Sequence, residues 1–310
     1  MDIVKDYKSE TIKLKPDYEG EVTATLVSSK FNLGNRKSVL YLHGYVDYFF
    51  QAHVGEKFNQ NNFDFYALDL RKYGRSLLPN QHPHYCRDIR EYYEEITVAI
   101  RQIHESGNRE IFLLGHSTGG LIASNYMNDG DEKDLIKGLI LNSPFLAFNQ
   151  SNLQMSIVCS VAKLVTGMFP YAKVNGALSP AYAESIYKDF YGEWDYNLDW
   201  KRITFPTYLA WLLAIQKGHK RVANSNIKIP VLVMHSSASA GVSTFSEEAM
   251  STDIVLDVNI IKKTGVKLAK QVILLEIENA QHDIFLSRKI VRENAFDEMF
   301  TWLNNMEFVK

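Results

Sequence analysis

Residues 110–127 read EIFLLGHSTGGLIASNYM. A short apolar run with strand character, Glu110–Gly115, passes through His116-Ser117-Thr118-Gly119-Gly120 into the helical pattern Leu121–Met127. The centre, Gly115-His116-Ser117-Thr118-Gly119, is a G-x-S-x-G. Alone, five such residues carry little information, because small residues cluster by chance. Between a strand and a helix they describe a sharp turn that lifts a serine hydroxyl above the end of a sheet, with small flanks so that the strained backbone fits. The other use of a glycine-rich strand-to-helix turn is phosphate binding. That use is recognised by GxxxxGK[ST] or GxGxxG, and neither is present. Ser117 is therefore a candidate nucleophile, on an elbow formed with Gly115, His116 and Gly119.

Working outward, short apolar runs alternate with helical patterns. Ser38–Leu42 (SVLYL), Asp64–Leu70 (DFYALDL), Gly138–Asn142 (GLILN), Pro230–His235 (PVLVMH) and Gln271–Ile277 (QVILLEI) read as buried strands. Asp88–Ser106 carries Ile89, Tyr92, Tyr93, Ile96, Ile100 and Ile103 at helical spacing, and Asn294–Met306 closes as an amphipathic helix. Strands of this kind separated by helices predict an α/β fold, a mainly parallel sheet flanked by helices on both faces. The first two strands, near Thr11–Leu14 and Glu21–Ser28, are joined by a connection too short for a crossover helix and should pair antiparallel. From Phe145 to Ser225 the rhythm breaks into helical patterns rich in aromatic residues. The expected organisation is a core of 1–144 and 226–310 with a helical cap inserted at 145–225; extra helices packed on the side of the fold are the plainer alternative.

A serine hydroxyl needs a neighbouring base. On this scaffold the partners follow in the order Ser, acid, His. Of the nine histidines, His219, His235 and His282 follow Ser117, and His282 occupies the loop after the last predicted strand. His219 falls in the insert, and His235 ends a strand as a core histidine can. Asp283 adjoins His282 and cannot easily reach the far side of its ring, so it reads as structural. The acid should follow Pro230–His235, yet the next residues, Ser236-Ser237-Ala238-Ser239-Ala240-Gly241, hold no carboxylate. Asp253, ahead of an apolar pair, is favoured over Asp257, which reads as part of the helix Leu256–Lys262; Glu247 and Glu248 fit less well. An oxyanion needs preorganised backbone donors. The Thr118 N–H should be one. The other should come from the turn after SVLYL, where Gly44 permits close approach and Tyr45 offers its N–H.

HGYVDY, DLRKYGRS, GHSTGG, LNSPF and AQHDIFLS, in this order, resemble the lysophospholipase and monoacylglycerol lipase branch of the α/β-hydrolases, also described as serine aminopeptidase S33-like. Where family members commonly carry DLRGHGRS and GHSMGG, this chain has Asp69–Ser76 as DLRKYGRS and His116–Gly120 as HSTGG. The resemblance covers about Val39–Pro144 and Pro230–Leu286; the insert matches by position only. It implies a Ser-His-Asp triad, a helical cap, hydrolysis of carboxylic esters (often of lipids) through an acyl-serine, and no metal or organic cofactor. The acid loop is longer here than in the family.

Composition excludes some classes. With 310 residues, 46% hydrophobic and 23% charged, and a net charge of -2, the chain is an ordinary globular one with no basic field for nucleic acid. Cys86 and Cys159 are the two cysteines, read as unpaired thiols, and the amino-terminal residues lack the apolar run of a signal peptide. No stretch approaches the ~20 apolar residues of a membrane span. The expected compartment is cytoplasmic, with transient membrane contact through the cap conceivable and the oligomeric state open. His82-Pro83-His84, near Cys86, lacks a second pair of metal ligands and reads as a surface loop. Arg71, Lys72 and Arg75 read as positioning a loop. Two other functions stay open. One is aminopeptidase-type cleavage using the insert carboxylates Glu184, Asp189, Glu193, Asp195 and Asp199; the other is ligand binding without catalysis.

Overall fold

The computed structural model describes residues 5–174, 179–202 and 205–306. Parts of the predicted insert, 175–178 and 203–204, and the chain ends, 1–4 and 307–310, lie outside the described residues.

An eight-stranded sheet forms the centre, in the order β1 (Tyr7–Lys13), β2 (Thr23–Ser29), β4 (Phe63–Asp69), β3 (Lys37–Leu42), β5 (Glu110–His116), β6 (Ile136–Asn142), β9 (Val231–Ser236), β10 (Val272–Ile277). β1 pairs antiparallel with β2 and β2 antiparallel with β4; every later pairing is parallel. The central strands are apolar on both faces because both are covered. Leu40, Leu42 and Leu113 face a layer containing α2 (Tyr93–Glu105), α3 (Thr118–Asp129), α6 (Leu209–Val222) and α7 (Val258–Gly265). Val39, Tyr41, Phe112 and Leu114 face α1 (Ala52–Gln60) and α8 (Lys289–Asn305).

Helix ends follow their local chemistry. Asp88 makes a capping box ahead of a 3-10 turn, Ile89–Tyr92, that leads into α2. Asp257 caps α7, so that helix starts at Val258 rather than at Leu256. The helix expected from Asn294 begins earlier, at Lys289. The helix α1 was not anticipated. Its buried residues are only Val54, Gly55 and Phe58, and Gln51 before it makes no side-chain cap, so its periodic signal is thin.

The irregular segment holds α4 (Asn152–Met168), β7 (Lys173–Val174), α5 (Pro180–Ile186) and β8 (Thr207–Tyr208) before α6. The strands β7 and β8, two residues each, pair with one another away from the main sheet. The helix α6 packs on α3, where a Cβ on Gly218 would meet Leu121 Cδ2 at 3.3 Å. The α5 region instead forms an aromatic cluster of Tyr182, Ile186, Tyr187 and Tyr196 with Tyr48, Phe50 and Leu286 of the core loops.

The loop after β4 is held by ion pairs. Arg71 forks onto Glu95, with Nη2 to Oε2 at 2.6 Å and Nε to both carboxylate oxygens at 3.0 Å, and Glu95 is fully buried. Lys72, also fully buried and at φ 64°, lies 2.7 Å from Asp17 and 2.6 Å from Glu19. Arg75 pairs with Asp69 at 2.7 Å. The three cations thus tie the β1–β2 turn, α2 and the end of β4 around one loop. Arg71→Ala leaves Glu95 buried and uncompensated, and should lower unfolding free energy by about 3–5 kcal/mol in urea titration; a loss under about 1 kcal/mol would mean that water compensates the carboxylate.

Several histidines are held neutral. Burial pushes His84 down to about 3, and His53 and His219 down to about 4. The unfolded chain takes up these protons near pH 6.5 and the folded one does not. Their contribution to stability is therefore complete above about pH 6.5 and is lost as pH falls toward 4. Tm should decline over that window, ahead of general carboxylate protonation; a flat Tm from pH 7 to 4.5 contradicts this.

Candidate active site

Strands β3 and β5 are parallel neighbours, and their register sets Leu42 opposite Gly115. The two chains therefore leave the sheet side by side, as His43-Gly44-Tyr45 and His116-Ser117-Thr118. Ser117 turns sharply at φ 51°, ψ -116°, at positive φ where non-glycine residues are strained. Hydrogen bonds hold it there. Its N–H donates to the Asn142 carbonyl at 3.0 Å, and its own carbonyl accepts from Gly120 at 3.0 Å, Leu121 at 3.2 Å and Phe145 at 3.0 Å.

The glycines explain how the elbow fits. A Cβ on Gly119 would lie 2.4 Å from the carbonyl oxygens of Leu42 and His43, and one on Gly115 would lie 2.7 Å from the Gly119 oxygen. At Gly44 a Cβ would press to 3.2 Å from the Ser117 Cβ, so the turn after β3 runs directly against the serine. Thr118 opens α3, where the first N–H groups have no partner within the helix. Tyr45 follows Gly44 beside it.

Ser117, His282 and Asp253 form one hydrogen-bonded line. His282 Nε2 lies 3.0 Å from Ser117 Oγ, and His282 Nδ1 lies 2.8 Å from Asp253 Oδ2. All three side chains are buried, Ser117 at 9% exposure being the most open. The other oxygen of Asp253 accepts the N–H groups of Val255 and Leu256 at 2.8 Å each, which orients the carboxylate. A carboxylate accepts only, so Nδ1 carries the ring proton and Nε2 turns its lone pair to the serine. His282 follows β10, and the chain between β9 and Asp253 explains the late acid. It travels out through 237–252 and returns to pair Asp253 with Ser239, exchanging Asp253 N–H to Ala238 O at 3.0 Å and Ala240 N–H to Asp253 O at 3.1 Å.

The other candidates go elsewhere. Asp257 accepts the Asn259 N–H at 2.9 Å, and Glu247 pairs with Arg288 at 2.5 Å. Asp283 accepts from Asn142 Nδ2 at 2.7 Å and Gln51 Nε2 at 3.2 Å, a buried brace behind His282. The ring nitrogen of His235 nearest its main chain contacts Ser236 O at 2.7 Å, and His219 Nε2 contacts Phe145 O at 2.9 Å. His82 lies against Glu19 and stacks on Tyr171 at 4.1 Å, while His84 is caged by Tyr45, Tyr73 and Phe205. Among the described residues no three of His, Cys, Asp and Glu are grouped to hold a metal ion.

Several residues around the line carried no readable sequence signal. His43 accepts the Leu70 N–H on Nε2 at 3.1 Å, which leaves its proton on Nδ1, 2.9 Å from the Gly44 carbonyl. That carbonyl and the Tyr45 N–H belong to one planar peptide, so the histidine fixes where the N–H points. Burial pushes the pKa of His43 and of His116 below the ordinary histidine value, keeping both neutral. The segment 145–225 also reaches the site. Tyr182 meets the His282 ring edge-on at 5.6 Å, and Trp211 lies 4.0 Å from the Tyr45 ring.

Known proteins align with this architecture. The family model for serine aminopeptidase, S33, a hydrolase family, matches residues 34–259. The monoglyceride lipase of Saccharomyces cerevisiae is 23% identical over 289 residues, covering 87% of this chain and 85% of that one. A crystal structure of a soluble variant of that lipase with a substrate analog superposes with a TM-score of 0.67 at 19% identity, covering 96% of this chain and 95% of the other. The monoacylglycerol lipase of Paleococcus ferrophilus gives 0.62 at 18% identity, covering 96% and 99%. A thermophilic esterase from Thermogutta terrifontis gives 0.61 at 15% identity, also covering 96% and 99%. With an α/β-hydrolase fold and a family match across most of its length, the chain belongs to the serine aminopeptidase S33 family of hydrolases.

Proposed function

We propose that this protein is a serine hydrolase of carboxylic esters, of the acyl or lipid type, acting through an acyl-enzyme on Ser117. The observation that carries the reading is the continuous line Ser117 Oγ, His282, Asp253, with contacts of 3.0 and 2.8 Å. Ser117 attacks the ester carbonyl as His282 Nε2 takes its proton. The same proton then passes to the departing alcohol, and water repeats the cycle to release the acid. Asp253 holds the ring in the productive tautomer and stabilises the imidazolium. The Thr118 and Tyr45 N–H groups receive the oxyanion. No metal or organic cofactor is needed for these steps.

In this reading 145–225 acts as a cap. Tyr182 on His282 and Trp211 on Tyr45 support it, since they put aromatic rings of the insert against two residues of the site. The acyl-lipid preference rests on the aromatic cluster that Tyr182 shares with the core loops and on the lipases that share the fold. Transient contact with a lipid surface fits as well. Leu153, Ile157, Val161, Leu164 and Met168 form an exposed stripe along α4, and between Asp134 and Glu184 the chain carries no acidic side chain. No helix among the described residues is long and apolar enough to cross a membrane.

Aminopeptidase-type cleavage would need a carboxylate near the serine to hold a free amine. Four of the five insert acids are engaged elsewhere or exposed, and Glu184 is half-buried on α5. Asp195 pairs with Lys188, Asp199 with Arg202 and Glu193 with Arg292, and Asp189 is exposed.

The test is hydrolysis of p-nitrophenyl esters from acetyl to palmitoyl, beside aminoacyl p-nitroanilides. Ester turnover should exceed amide turnover, with the optimum at medium to long chains. Ser117→Ala should abolish it by at least ~10⁴-fold, and Asp253→Asn should lower kcat roughly 10²–10⁴-fold. Full ester activity in Ser117→Ala, or anilides as the better substrates, would overturn the proposal.

A further inference from the structure

Beyond Tyr45 the chain turns through Val46, itself at φ 50°, to Asp47. Asp47 is a buried carboxylate at 2% exposure, packed close to the catalytic elements. Its partner comes from the insert. Lys201 Nζ sits 2.7 Å from Asp47 Oδ1 and 3.4 Å from the Val46 carbonyl, and its side chain is 11% exposed. Burial works against the charge on Asp47, yet the Lys201 cation and its hydrogen bond outweigh it and hold the carboxyl below the usual range. Two more contacts join the same strip of core to the insert. The Asn197 N–H donates to Tyr48 Oη at 2.6 Å, and Tyr45 Oη donates to Thr207 Oγ1 at 3.2 Å.

We infer that Lys201 is a positioning residue for the oxyanion hole and that docking of the insert assembles that hole. The inference rests on the serine hydrolase reading given above. Three properties of the pair carry it. Lys201 binds two oxygens on the residues that follow Tyr45, so it holds the chain after Tyr45 as His43 holds the peptide before it. Its cation neutralises a carboxylate that would otherwise lie unpaired beside a developing oxyanion, which is the wrong charge for that place. And it belongs to the insert, so any movement that lifts the insert withdraws the cation and frees the turn together. Substrate sealing and donor alignment become one event, and with the insert displaced the serine faces a misaligned hole and an uncompensated anion.

The experiment is steady-state hydrolysis of a p-nitrophenyl ester by the full chain and its variants, with Tm measured on each. Lys201→Met should lower kcat/KM by roughly 10- to 100-fold, carried by kcat rather than KM, because a displaced donor weakens the transition state more than the bound ester. Lys201→Arg should retain most activity. The double variant Lys201→Met with Asp47→Asn removes the stranded charge and should recover at least about 5-fold over Lys201→Met alone. If Lys201→Met proves too unstable to measure, Lys201→Gln, also uncharged, replaces it alone and in the double variant, and the same two comparisons are read. A merely structural lysine predicts a fall in Tm with kcat and KM of the folded fraction unchanged, and no rescue by Asp47→Asn. Wild-type kcat in Lys201→Met, or no rescue in the double variant, overturns the inference. Absence of ester turnover in the wild type would sink the hydrolase reading instead.

Discussion

The backbone of Ser117 is the constraint from which the rest of the site follows. A non-glycine residue at φ 51°, ψ -116° costs on the order of 1–3 kcal/mol and persists only where the surroundings over-determine it. Here they do. Its N–H is bound by β6, its carbonyl by α3 and by Phe145, and the β3 turn presses against it through Gly44. The strain serves to raise a hydroxyl clear of the sheet end while leaving the next N–H at a helix start. In the proposed mechanism both features need a base and a second donor at the same point, and the parallel sheet brings His282 and the Gly44–Tyr45 turn there. The strands β3, β5, β9 and β10 all end at one edge, so their outgoing loops converge.

What could be read in the residues depended on how local the interaction was. The elbow is local: strand, small residues, serine and helix lie within eighteen consecutive positions. His282 was legible because chain order after the last strand singles it out among three candidates. The parallel strands were placed within a residue or two, since they are written as plain apolar runs, whereas the antiparallel β1 begins at Tyr7, four residues before the expected Thr11. The place of Asp253 beside His282 was harder to read. Its loop leaves the sheet and comes back, and only the pairing of Asp253 with Ser239 shows why a residue so far past β9 stands at its end. The helix α1 was silent because two large apolar side chains give almost no period.

Long-range polar pairings were not legible at all. In the sequence His43 is only the first residue of the turn after SVLYL, yet its two ring nitrogens tie the β4 loop to the Gly44–Tyr45 peptide. Asp47 and Lys201 are 154 positions apart and neither belongs to a motif. Lys72, in a loop that resembled a family signature, is buried against two acids of the β1–β2 turn. Nothing in composition or periodicity announces such pairs, because each depends on two chain segments meeting at a fixed distance. They are nonetheless what turns a generic scaffold into a rigid site, since buried charges in low dielectric tolerate little displacement.

The central claim is that Ser117 is an activated nucleophile in the folded protein. It is tested most directly by treating the native chain with a fluorophosphonate and mapping the adduct by peptide mass spectrometry. The account predicts a single stoichiometric adduct on Ser117, lost on heat denaturation before labelling. An intact, folded chain that takes no label, or takes it at another residue, would contradict it.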